Sequence, residues 1–81
     1  MEIAVLGPGC KNCEALEAAT HEALSNLGID QEVTKITDFG EIASYGVMKT
    51  PALVIDGNVV ATGRVPPTAE VTSLITAAGA Q

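Results

Sequence analysis

The sequence predicts a small α/β protein with the element order βαβαββα. Apolar runs of strand character alternate with segments of helical periodicity, joined by short turns, and no internal repeat, low-complexity tract or linker interrupts the series. The 81 residues correspond to one domain, 1–81, which buries only about 60 to 65% of the surface its unfolded chain exposes. The chain is 47% hydrophobic but has no Trp, one Phe (Phe39) and one Tyr (Tyr45). Val, Ile, Leu and Ala must therefore fill the interior, which suits a small sheet covered by helices.

The first element, Ile3-Ala4-Val5-Leu6, is apolar at every position, as expected of a central strand covered on both faces. Gly7-Pro8-Gly9 breaks it. From Cys10 an apolar stripe runs through Cys13, Leu16, Thr20, Ala23, Leu24 and Leu27 at helical spacing, and Gly28 supplies the C-terminal cap, so a helix is expected over about residues 10–27. Val33-Thr34-Lys35-Ile36 reads as a strand whose mixed faces place it at a sheet edge. Asp38 can cap a short helix whose Phe39, Ile42 and Ala43 share a face and which ends near Gly46. Ala52-Leu53-Val54-Ile55 and Val59-Val60-Ala61-Thr62 flank Asp56-Gly57-Asn58 and read as a β-hairpin, the clearest local signal in the chain. A last helix begins after Gly63-Arg64-Val65-Pro66-Pro67, with Glu70 in its first turn, Val71, Leu74, Ile75 and Ala78 on one face, and Gly79 at its end.

Ten acidic residues against four Lys and Arg give a net charge of -6, which repels nucleic acid and anionic lipid. Glu2 stands where a signal peptide would carry a base, and Ile3 to Leu6 is too short for an export or membrane segment. A soluble cytoplasmic protein is expected. No surplus apolar surface is apparent from the pattern, so the expected state is a monomer.

The only two cysteines form Cys10-Lys11-Asn12-Cys13, where the first strand hands over to the first helix. A helix N-terminus offers unpaired N–H groups and a partial positive charge, which stabilise a thiolate over a thiol. In a reducing cytoplasm a structural disulfide is not expected, so a Cys pair with this spacing is read as redox-active or metal-binding.

Three features carry a resemblance to the thioredoxin-like superfamily, specifically its short thioredoxin or glutaredoxin-like redox-active disulfide proteins. They are Cys10/Cys13 between first strand and first helix, Thr50-Pro51 just before the third strand, and Gly63 after the fourth. The resemblance spans nearly the whole chain. It implies a four-stranded mixed sheet flanked by three helices, with Pro51 in the cis form facing the cysteines, and a thiol/disulfide oxidoreductase that needs no cofactor beyond its own Cys10/Cys13 disulfide. Residues i and i+3 at a helix start lie side by side, so the two sulfurs can close a disulfide with little backbone movement. Cys10, at or before the helix start, is expected to be exposed and to attack a substrate disulfide. Cys13, on the apolar stripe, is expected to be covered and to resolve the mixed disulfide. An ordinary thiol pKa of about 8.5 leaves little thiolate at neutral pH. The helix start and the Lys11 charge are expected to lower that of Cys10, with Glu14 in opposition. Thr50, Pro51 and Gly63 resemble the family's substrate-docking turn, where an extended peptide is added as a strand. The implied partners are protein disulfides and a thioredoxin-reductase-like electron donor.

Departures from the family pattern limit the transfer. Gly9 precedes Cys10 where thioredoxins carry an aromatic residue, Lys11-Asn12 replaces Gly-Pro, and Ala4 stands where thioredoxins carry a buried Asp. Gly63-Arg64 does not reproduce the Gly-Gly-acid signature with which glutaredoxins hold glutathione. The rival class is a Cu(I)-type metal chaperone, which also places a Cys-x-x-Cys between first strand and first helix. Such modules resemble a βαββαβ fold with Met two residues before the first Cys, whereas Pro8 stands there in this chain. A non-catalytic redox sensor would use the same cysteines. Elsewhere the structural readings prevail: His21 lies about 16 Å along the helix from Cys10 and is expected on the surface beside Glu17. Glu14, Glu17 and Glu22 make a solvated face, and Met48 is expected to pack against the core.

Overall fold

The computed structural model describes residues 2–78. Its elements follow the order β1 (Ile3–Leu6), α1 (Lys11–Leu27), β2 (Val33–Ile36), α2 (Phe39–Ser44), β3 (Ala52–Ile55), β4 (Asn58–Thr62) and α3 (Thr68–Ala77). The strands form one sheet in the order β2-β1-β3-β4. β1 is parallel to β2 and antiparallel to β3, and β3 is antiparallel to β4, so the sheet is mixed.

The two strands that are apolar at every position, β1 and β3, are the central pair and are buried throughout. Alternation along them divides the core in two. Ile3, Val5, Leu53 and Ile55 point to the face covered by α1 and α3, where they meet Leu16, Ala23, Leu24, Val71 and Ile75. Ala4, Leu6, Ala52 and Val54 point to the opposite face and meet Ile42 of α2 and Val47. β2 lies at the edge as its composition predicts, with Val33 packed on the first cluster and Ile36 on the second.

Local signals account for the element ends. Cys10 is the N-cap of α1, and Gly28 closes the helix in the left-handed conformation, its N–H bonded to the last-turn carbonyls. Within α1 the Thr20 hydroxyl, fully buried on the apolar stripe, donates to the Leu16 carbonyl at 2.7 Å, so its burial leaves no unpaired polar group. The hairpin turn is tighter than predicted. Asn58 already belongs to β4, and Asp56 and Gly57, with φ of 51° and 81°, make a two-residue connection of the kind that matches strand twist. A register shift opposite Leu53/Val54 takes up one residue of β4.

Two packing expectations fail on the α2 side. Phe39 does not share the buried face with Ile42: it is 70% exposed, and Ala43 is exposed as well. Met48, expected in the core, is 95% exposed. α2 has only six residues, so a single turn, the one carrying Ile42, reaches the sheet. On α3, Val71 and Ile75 are fully buried and Leu74 half-buried as predicted, whereas Ala78 lies exposed at the helix end. The expected cap at Gly79 lies outside the described residues.

Candidate active site

Gly7 ends β1, and the chain turns through Pro8 and Gly9 to enter α1 at Cys10. Cys10 has extended backbone (φ −71°, ψ 169°), and its Sγ accepts the Cys13 N–H at 3.3 Å. A sulfur thus takes the place usually held by a Ser or Asp oxygen at a helix N-cap. Both cysteines are free thiols: Cys10 is exposed and Cys13 is 5% exposed, facing inward from the first turn of α1.

This placement splits the two thiols. The Cys10 pKa is lowered, first by hydrogen bonding with the Cys13 side chain and then by the N–H groups of the helix start. Burial pushes the Cys13 thiol up, and its bond to Cys10 adds to the effect. Lys11, expected to lower Cys10 through its charge, is not among the groups that do so. The lowering comes from donors at the helix start, and Lys11 is exposed to solvent.

The Thr50-Pro51 peptide is cis, and Pro51 is fully buried at the entry to β3. Gly7 stands between this turn and the cysteines. A Cβ at Gly7 would lie 2.3 Å from Cys13 Sγ, a clash that would displace the thiol, and 3.7 Å from Thr50 Cβ, an ordinary contact distance that places the turn close by. Sequence reasoning took Gly7 merely as a strand breaker. Its one signal was its place, between a buried strand and a Cys pair.

Gly63, with φ of 73°, donates its N–H to the Pro51 carbonyl at 2.9 Å, and the neighbouring Thr62 hydroxyl donates to the Lys49 carbonyl at 2.8 Å. The end of β4 therefore clamps the loop that precedes β3. A Cβ at Gly63 would meet the Lys49 side chain at 3.1 Å, so the left-handed backbone, and to a lesser degree this close approach, favour glycine there whatever else binds nearby. Arg64, next along, pairs with Glu70 in the first turn of α3.

His21 is exposed and sits 3.7 Å from Glu17, remote from the cysteines. Ala4 lies in the core on the α2 side and offers no polar group to Cys13. Among the described residues no three or more His, Cys, Asp and Glu side chains converge closely enough to hold a metal ion. The order βαβαββα also differs from the βαββαβ of the copper-chaperone modules that share the Cys spacing. No helix among the described residues is long and apolar enough to cross a membrane.

A thiol of lowered pKa at the surface and a covered thiol behind it are what disulfide exchange needs. Comparison with known proteins agrees. The sequence model of the Thioredoxin domain family matches residues 1–76. The chain is 37% identical over 75 residues to a thioredoxin of Methanothermobacter thermautotrophicus, an alignment covering 93% of this chain and 97% of that one. It is 36% identical over 69 residues to a thioredoxin of Methanocaldococcus jannaschii, covering 85% of this chain and 79% of that one.

Proposed function

This chain belongs to the thioredoxin family and is a thiol–disulfide oxidoreductase, and on that premise we propose that it reduces protein disulfides with Cys10 as nucleophile and Cys13 as resolving thiol. The observation that carries the assignment is the Cys13 N–H donated to an exposed Cys10 Sγ while Cys13 itself is covered. The Cys10 thiolate attacks one substrate sulfur and expels the other, forming a mixed disulfide. Cys13 then attacks Cys10 Sγ, releasing the reduced substrate and leaving Cys10-Cys13 oxidised. No cofactor beyond this disulfide enters the scheme. Residues 1–81 act in it as one domain.

In this reading the substrate segment lies extended against Thr50-Pro51, whose position the Gly63 N–H fixes through the Pro51 carbonyl. A monomer is the acting form in this reading. A thioredoxin-reductase-like protein is the electron donor, in keeping with Gly63-Arg64 standing where the glutathione-binding signature would follow β4, and the cytoplasm is the compartment.

The test poises metal-free protein in defined thiol/disulfide buffers and counts free thiols by mass after alkylation. A reversible two-electron midpoint between about -200 and -280 mV is expected for a reductase, and one near -120 mV would make the protein an oxidant instead. Cys13→Ser is expected to accumulate the mixed disulfide on Cys10. Wild-type turnover by that variant in a reductase-coupled assay would overturn the two-cysteine scheme.

A further inference from the structure

Cys13 must lose its proton before it can attack, and its surroundings oppose that loss. The thiol is 5% exposed, and β1, which lies behind it, contributes only Ile3-Ala4-Val5-Leu6, none of which titrates. A cleft of about 20 Å³ opens beside it, lined by Val5, Gly7, Cys13, Glu14, Glu17 and Lys35. This is room for about one water molecule, and the lining residues include one thiol, two carboxylates and one ammonium group. Glu17 follows Cys13 by four residues on α1, so the two side chains lie on one helix face, whereas Glu14, the next residue in sequence, projects about 100° away and is exposed. The Glu17 side chain is only 23% exposed and is held from both sides, by Lys35 Nζ at 3.5 Å from Oε1 and by His21 Nε2 at 3.7 Å from Oε2.

We propose that Glu17 takes the Cys13 proton across this cleft when Cys13 resolves the mixed disulfide, with Lys35 of β2 positioning the carboxylate; the inference rests on the two-cysteine reading above. The Cys13 S–H bond breaks, and its proton passes through one water to the Glu17 carboxylate. The electron pair left on Cys13 Sγ forms the bond to Cys10 Sγ. The bond from Cys10 Sγ to the substrate sulfur breaks, and its pair leaves with the substrate thiolate, which is then protonated from Glu17 or solvent. The two cysteines together lose two electrons and the substrate disulfide gains two.

Electrostatics sets the sign of the test. Removing a negative charge beside a thiol favours its thiolate, so a bystander Glu17 predicts that Glu17→Gln resolves as fast as wild type or faster. Proton acceptance predicts the reverse. The charged residues that line the cleft beside Cys13 are Glu14 and Glu17 from α1 and Lys35 from β2; β1 supplies none, and the charged residue of α3, Glu70, is engaged with Arg64. The Glu17 pairs lie near the surface, so their loss leaves the fold intact.

The experiment mixes fully reduced protein with an aromatic disulfide, 5,5′-dithiobis(2-nitrobenzoate), and follows release of the coloured thiolate by stopped flow from pH 5.5 to 10. The first phase reports attack by Cys10, the second resolution by Cys13. Glu17→Gln is expected to leave the first phase unchanged and to slow the second at least about tenfold at pH 7. The deficit should close as the pH is raised through the Cys13 titration, and Glu17→Asp should recover most of the rate. An unchanged or faster second phase in Glu17→Gln at every pH would overturn the proposal, as would a deficit confined to Glu14→Gln. A second phase that persists in Cys13→Ser would instead overturn the two-cysteine reading beneath it.

Discussion

On one face of the sheet Ile3, Val5, Leu53 and Ile55 are sealed by two helices, α1 and α3, whereas on the other Ala4, Leu6, Ala52 and Val54 meet only the six-residue α2. The first face buries large aliphatic side chains from four elements, β1, α1, β3 and α3. The second leaves Phe39, Tyr45 and Met48 partly or wholly in solvent. Stability and reactivity are divided accordingly. The double-helix face supplies most of the apolar burial, each fully buried Leu, Ile or Val contributing roughly 1.5–3 kcal/mol. The cysteines and the Thr50-Pro51 turn sit at the end of the sheet where β1 gives way to α1, braced by that frame without being part of either core cluster.

The largest expected effect tests the frame itself. Ile75→Ala removes a fully buried side chain where α3 meets the core and is expected to cost about 2–5 kcal/mol in urea denaturation. At the junction between frame and site, Gly7→Ala would force its methyl group onto Cys13 Sγ. A loss of about 1–3 kcal/mol is expected, together with faster alkylation of Cys13 as the thiol is pushed from its place. Unchanged stability with unchanged Cys13 alkylation would show that the cysteines are not braced through Gly7. On the thinner face, Asp38→Ala deletes the carboxylate that accepts the Glu41 N–H at 2.9 Å at the start of α2 and should cost about 1 kcal/mol. Phe39→Ala should stay within about 0.5 kcal/mol, because the ring lies mostly in solvent. A Phe39→Ala loss as large as that of Ile75→Ala would erase the contrast between the faces.

Most elements of the fold were legible because their signals are local. The unbroken apolar run of Ile3–Leu6, the 3.6-residue stripe of α1, Gly28 at its end, Asp38 before α2 and Asp56-Gly57 in the hairpin each act within a few residues of where they stand. The Cys10/Cys13 spacing is local in the same sense, and the helix start fixes which sulfur is outside. The errors came where a residue's fate depends on something distant. Phe39 and Met48 are as apolar as core residues, but a six-residue helix covers too little of the sheet to take them in.

The amino-acid sequence by itself determined the order of elements, the two central strands, the edge position of β2 and the pairing of an exposed with a covered thiol, because periodicity and capping are properties of short stretches of chain. Tertiary structure alone decided that Gly7 has no room for a side chain because Cys13 Sγ lies against it, that Gly63 locks the Pro51 loop, and that Glu17 and Lys35, eighteen residues apart, share a cleft with Cys13. Those contacts join segments whose separation in space is set only when helices close over the sheet, and no local pattern encodes a distance of that kind.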